Sequence, residues 1–120
     1  MTTALDTSLA YFAAWTQGNL DDALIHVSPD VVCLAPAGRL EGAAQLRSFM
    51  EPFARSLRSS ALVSAFGDDS VAVLYYDTSS ALVAWAPAAE RHTVVGGLIT
   101  EVRIVFDRLP FEQARAAAGA

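Results

Sequence analysis

One stretch, YFAAWTQGNLDDALIHVSPDVVCLAPAG from Tyr11 to Gly38, restricts the folds open to this chain more than any other. Gly18 supplies the left-handed residue that stops a helix. Asn19 is a good N-cap for a second helix, with Asp21 and Asp22 in its first turn, where the helix dipole favours acids. Leu20, Ala23, Leu24 and Val27 are spaced i, i+3, i+4 and i+7, and Ser28-Pro29 is expected to end that helix. His26 falls in its last turn and reads as a solvated residue. Val31 to Pro36 then reads as a strand, with Val31, Cys33 and Ala35 on one face and Val32 and Leu34 on the other. Both faces are apolar, so the strand is expected to be covered on both sides. Such a unit folds a helix pair back over a sheet and makes the strand's far end the floor of a cavity.

The flanking segments extend this unit. Thr3 and Asp6 form a loose capping box for the first helix, with Asp in place of the usual Glu or Gln. Leu5, Leu9, Phe12 and Thr16 mark an apolar stripe, and Tyr11 and Trp15 lie about 100° round from it. Tyr11 is therefore either a core residue or a phenol aimed into the cavity. Gly38 to Gly42 is a turn-rich connection with room for a very short strand. A third helix is expected from Ala43 to Leu57, with Leu46, Phe49, Met50, Phe53 and Leu57 on its apolar face and a bend at Pro52. Strands follow at Ala61–Phe66 and Val71–Asp77, joined at Gly67-Asp68-Asp69. A long strand, Ala81–Val95, is interrupted at Pro87. Gly96-Gly97 turns into a last strand in which Leu98, Thr100, Val102, Ile104 and Phe106 share one face. Residues 110–120 make a short helical or frayed tail. The predicted order is ααβαββββ in one domain spanning 1–120. The fold class is α+β: a cone-shaped, strongly curved, mostly antiparallel sheet wrapped around the N-terminal helices.

Composition narrows the function. Hydrophobic residues make up 53% and charged residues 18% of the 120 residues. That apolar share suggests a lined cavity or a subunit interface in addition to a core. A net charge of −5 argues against nucleic acid and anionic membrane as partners. Cys33 is the single cysteine, so no internal disulfide forms and a cytoplasmic setting fits. It has no basic neighbour in sequence, which favours an inert thiol over a nucleophile. No apolar run approaches a membrane span and no signal-peptide pattern follows Met1. Two distant histidines and one cysteine make no metal-ligand spacing, and no nucleotide fingerprint is present, so neither a metal nor a cofactor is expected.

The element order, the stretch YFAAWTQGNLDDALIHVSPDVV, Gly42 opening the third helix and the closing GGLITEVRIVFD together resemble the nuclear-transport-factor-2-like superfamily, and within it the SnoaL-like and ketosteroid-isomerase branch. The resemblance runs from about Leu5 to Pro110. It implies a fold shared by isomerases, cyclases, epoxide hydrolases, dehydratases and binding domains, so it does not choose among them. Against the ketosteroid isomerases, Tyr11 falls on the oxyanion-binding tyrosine and Glu90 near the second oxyanion donor, a protonated acid that is a standard case of pKa tuning. Their general base, just before the proline of the first strand, corresponds to Ala35, so that chemistry cannot run here as it does there. The last-strand aspartate of limonene-epoxide-hydrolase-like enzymes falls on Ile104. The acid/base aspartate of SnoaL-like cyclases matches Asp107, which strand parity turns away from the face of Phe106.

The candidate catalytic residues are Tyr11, Asp77, Glu90 and His92. The candidate substrate-binding residues are Trp15, Phe49, Phe53, Tyr75, Trp85 and Phe106. An imidazole and two carboxyls can exchange protons, and phenols can polarise a carbonyl. Asp77 can equally cap the Thr78-Ser79 turn, and Glu90 to His92 can be a solvated stretch. Two readings stand. One is cofactor-free acid/base chemistry, isomerase- or cyclase-like, on a small, mostly apolar carbonyl or phenolic compound. The other is a non-catalytic ligand-binding or dimeric scaffold domain. A homodimer is expected through the outer sheet face, where Ala72, Leu74, Tyr76, Ile99 and Val105 are apolar.

Overall fold

A computed structural model describes residues 2–119, which form an α+β domain with one six-stranded, mostly antiparallel sheet. The elements run α1 (Ala4–Thr16), α2 (Leu20–Leu24), β1 (Val27–Ala35), β2 (Gly38–Glu41), α3 (Ala43–Ser56), β3 (Leu57–Gly67), β4 (Val71–Ser80), β5 (Ala86–Val95), β6 (Leu98–Phe106) and α4 (Leu109–Gly119). Across the sheet the strand order is β2-β1-β6-β5-β4-β3. β1 runs parallel to β6, and the other neighbouring pairs are antiparallel. No described helix is long and apolar enough to cross a membrane.

The cap of α1 forms as its sequence predicts. Thr3 Oγ1 accepts from the Asp6 N–H at 3.1 Å, and Asp6 Oδ2 accepts from the Thr3 N–H at 3.1 Å. These bonds favour the ionised acid and hold the Asp6 carboxyl below its ordinary pKa. The buried stripe of α1 differs from the expected one. It is Ala4, Thr7, Ser8, Tyr11, Phe12 and Trp15, whereas Leu5 and Leu9 are only partly buried against the core. Small residues at 4, 7 and 8 let the helix approach the sheet closely, and the larger leucines are left at the flank.

α2 stops at Leu24, and Val27 to Pro29 belong to β1. Pro29 is tolerated there because the β1–β6 register jumps from Val27↔Ile99 to Val32↔Glu101, so no ladder bond is asked of it. β5 begins at Ala86, not Ala81. Residues 81–85 instead form a connection closed by Ser80, whose N–H donates to the Val83 carbonyl at 2.9 Å. Gly96 and Gly97 have φ of 59° and 80°, the pair of positive values that a two-residue hairpin turn requires. The tail is helical as α4 through Gly119, with Ala120 outside the described residues.

Strand register decides which side chains meet. Ala72, Leu74 and Tyr76 lie opposite His92, Glu90 and Ala88 on β5, which lie opposite Val102, Ile104 and Phe106 on β6. Directly paired residues share a face, so all nine belong to the helix-covered face. The expected outer-face set is therefore largely corrected. Ala72, Leu74, Tyr76 and Ile99 are buried, and of the five only Val105 is outside, 65% exposed. Ile99 turns inward because the β5–β6 register shifts between Thr93 and Val94, which pairs Ile99 with the buried Val94. A bulge of this kind reverses the alternation beyond it. The residues that do populate the open face include Phe66, Val73 and Tyr75.

Candidate functional site

Between the helices and the covered face of the sheet lies a cavity of about 400 Å³. Its deep end is formed by Tyr11, Cys33, Glu90 and Val102, all buried. Its walls are aromatic, drawn from Trp15 of α1, Phe49 and Phe53 of α3, Tyr76 of β4 and Phe106 of β6. The mouth is bordered by Phe111, Arg108 and Arg115. Phe111 is held edge-to-face on Phe53 and Phe106, with ring centroids 6.0 and 5.8 Å apart. Trp15 packs on Phe12 and Tyr76, and its indole N–H meets no acceptor among the described residues.

Four side chains from three elements form one buried polar line. Ser8 Oγ is 2.8 Å from His92 Nδ1, His92 Nε2 is 3.0 Å from Glu90 Oε1, and the Tyr76 hydroxyl donates to Glu90 Oε2. Ser8, His92 and Glu90 are 0%, 1% and 5% exposed. One assignment satisfies every group: Ser8 donates to Nδ1, His92 Nε2–H donates to the carboxylate, and Tyr76 donates to its other oxygen. The line reaches the cavity through Glu90 and Tyr76, while Ser8 and His92 stand behind them. The arrangement resembles a Ser-His-acid triad in order only. Ser8 is sealed in the α1–sheet contact and meets no solvent.

Tyr11 completes the polar end. Its hydroxyl donates to Met50 Sδ at 3.0 Å, and its ring meets the His92 ring edge-on with centroids 5.3 Å apart. A thioether is a weak acceptor, so this O–H is easily redirected to an incoming oxygen. Burial first, and then the charges of Glu90 and Cys33, push the Tyr11 phenol well above its ordinary pKa. Tyr76 is raised too, by burial and then by the charge and hydrogen bond of Glu90. Burial and then Glu90 push the Cys33 thiol up to about 12. The two phenols are therefore neutral donors at ordinary pH and the thiol is inert. Glu90 is the carboxyl group that lines the cavity. Among the described residues no group of three or more His, Cys, Asp or Glu is placed to hold a metal ion.

Of the residues singled out from sequence, Tyr11, Trp15, Phe49, Phe53, Glu90 and Phe106 line the cavity, and His92 supports Glu90 from behind. Tyr75, Asp77 and Trp85 do not line it. Tyr75 is on the open face, and the Trp85 indole N–H donates to Asp77 Oδ1 at 3.0 Å outside the cavity. β4 has the opposite parity from the one expected, so Tyr76 stands where Tyr75 was placed. Ala35 is half-buried and carries no acid, and Ile104 adds an apolar wall. Asp107 accepts from the Leu109 N–H at 2.9 Å at the start of α4. The sequence reading missed Ser8 and Tyr76. Ser8 was accessible to it, because Ser8, Tyr11 and Trp15 are spaced i, i+3 and i+7.

Comparison with known proteins agrees with this architecture. The SnoaL-like domain family matches residues 9–102. A crystal structure from Kribbella flavida DSM 17836 is 56% identical and superposes with a TM-score of 0.95, covering 99% of this chain and 98% of its own. A protein from Jannaschia sp. CCS1, provisionally described as a SnoaL-like polyketide cyclase, is 18% identical with a TM-score of 0.78, covering 94% and 91% of the two chains. TerC, co-crystallised with polyporic acid, is 19% identical with a TM-score of 0.72, covering 92% and 95%. No match is found among curated proteins. The chain belongs to the SnoaL-like family and has the nuclear-transport-factor-2-like fold.

Proposed function

We propose that the cavity takes a small, mostly apolar carbonyl or phenolic compound and that Glu90 exchanges a proton with it. The observation that carries this reading is a buried carboxyl group lining a mostly apolar cavity, held by His92 and Tyr76 and accompanied by the redirectable Tyr11 hydroxyl. With an enolisable ketone, Glu90 removes an α-proton. The C–H electron pair becomes the new C=C bond, and the carbonyl π pair moves to oxygen. Tyr11 then donates to that developing oxyanion. His92 and Ser8 fix the carboxyl group's orientation and touch no substrate. TerC, which shares the fold, was co-crystallised with polyporic acid, in keeping with an organic ligand in this architecture.

A second reading has its own support. Alanine stands at position 35, where the resembled isomerases keep their base, and Glu90 already has two partners. On this reading the cavity binds its ligand without turnover. Incubation with 2-tetralone in D2O separates the two. Proton exchange at C1 faster than in buffer, lost in Glu90→Gln while binding persists, supports chemistry. Binding without exchange supports the binder. Neither binding nor exchange refutes both.

The open face also supports a homodimer. Phe66 is 73% exposed, Val73 and Tyr75 lie beside it on the adjacent β4, and Val105 lies on the same face two strands further on, at β6. Arg91, Glu101 and Arg103 border this apolar area with both signs of charge. Such a mixed pattern can pair with itself about a two-fold axis, so the proposed occupant is a second copy of the chain.

A further inference from the structure

We propose that the ligand carries a carboxylate or similar anionic group at the end left at the cavity mouth, where Arg115 and Arg108 receive it. This rests on the reading above, in which the carbonyl or phenol end goes inward to Tyr11 and Glu90. The first observation is the face of α4. Arg108, immediately before α4, and Phe111 and Arg115 within it are spaced i, i+3 and i+7 and so fall on one side. Phe111 is fixed against Phe53 and Phe106, and Arg108 and Arg115 on either side of it both line the cavity.

The second observation is how the arginines are used. Arg39, Arg47, Arg55, Arg91, Arg103 and Arg108 each have an acidic partner within ion-pair range. Among the described residues Arg58 and Arg115 have none, although the chain carries a net charge of −5, and of these two only Arg115 lines the cavity. Arg108 is held by Glu112 at 3.3 Å, which leaves it a second donor edge. Among the described residues the sole acid of the lining is Glu90, at the far end. The cavity is thus polarised along its length, with the Glu90 carboxyl at the bottom and, at the mouth, a paired Arg108 beside an Arg115 that has no acidic partner among the described residues.

The sheet gives the span. Glu90 and Ala86 both line the cavity four residues apart on β5, or roughly 13 Å at strand rise. A ligand of two linked rings with oxygen at one end and a carboxylate at the other fits that length.

Three probes share one shape: 4-phenylphenol, 4′-hydroxybiphenyl-4-carboxylate and its carboxamide. Their dissociation constants are measured by calorimetry at low and high salt. The carboxylate is expected to bind about fivefold more tightly than the carboxamide, with a preference that salt weakens. Arg115→Gln should remove most of that preference, and Arg115→Lys should keep part of it. The Arg108→Gln/Arg115→Gln pair should remove it entirely, with 4-phenylphenol affinity unchanged throughout. Equal binding of carboxylate and carboxamide, or a preference that survives in the double variant, overturns the inference and leaves the cavity reading standing. Failure of all three probes to bind removes both.

Discussion

Replacing Glu90 in two ways tests whether the Ser8–His92–Glu90–Tyr76 line is a satisfied network or a set of near contacts. In Glu90→Gln the side-chain oxygen still accepts from Tyr76, and the new N–H group faces His92 Nε2. The imidazole adapts by exchanging tautomers: Nδ1–H then donates to Ser8 and Nε2 accepts. Ser8 permits this because a hydroxyl accepts as readily as it donates. Two charge-assisted bonds, about 1.5–3 kcal/mol each, become neutral ones of about 0.5–1.5 kcal/mol. Loss of the buried carboxylate's desolvation cost offsets much of that, so the expected change is about 0–2 kcal/mol. Glu90→Ala offers no such rescue. It leaves the His92 N–H and the Tyr76 hydroxyl without acceptors in a buried site and opens a void, at a cost of about 3–5 kcal/mol. Against a domain stability of about 5–15 kcal/mol, both variants should remain measurable. Urea melts give the stabilities, and ¹⁵N shifts of the His92 ring nitrogens report the tautomer. If Glu90→Gln is as damaging as Glu90→Ala, or the ring nitrogens do not exchange roles, the network as described is wrong.

Other outcomes follow from the same geometry. Tyr11→Phe should weaken 4-phenylphenol binding about threefold to tenfold with little loss of stability, since it removes one neutral hydrogen bond whose resting partner is a thioether; calorimetry and a urea melt check the two halves. Stability should fall as pH rises from about 9 toward 12, because unfolded Cys33 releases its proton near 9.0 while the folded thiol holds it to about 12. In that window the folded state binds more protons, which costs up to about 1.4 kcal/mol per pH unit for this group, and Cys33→Ala should flatten the slope. Raised Tyr11 and Tyr76 add a loss of the same sign above pH 10. Δ5-3-Ketosteroids should show no isomerisation above buffer background in an ultraviolet assay, because position 35 holds alanine in place of a base. Sedimentation at micromolar concentration should give a dimer that Phe66→Glu dissociates, and a wild-type monomer would refute the dimer proposal.

Sequence alone settled what local chemistry controls. The Thr3–Asp6 cap, the break at Gly18, the Asn19 start of α2 and the Gly96-Gly97 hairpin each depend on a few neighbouring residues, and all are present. The α+β class and the pairing of Glu90 with His92 on one face also followed, since residues two apart on a strand must share a side. Which side each strand turns to the helices was not local. Alternation in β4 is apolar on both faces, so Tyr75 and Tyr76 were equally good candidates by pattern, and only pairing with β5 selected Tyr76. The register shift between Thr93 and Val94 likewise reversed Ile99 without any sequence signal strong enough to announce it. Ser8 gained its role from a histidine 84 residues away. The chain's own spacing could place Ser8 on the stripe of Tyr11 and Trp15, but only the packing of α1 on β5 could give its hydroxyl a partner. Local pattern gave the kinds of element and the chemistry available, whereas strand pairing set where β1 and β5 begin and long-range register decided which groups face one another across the cavity.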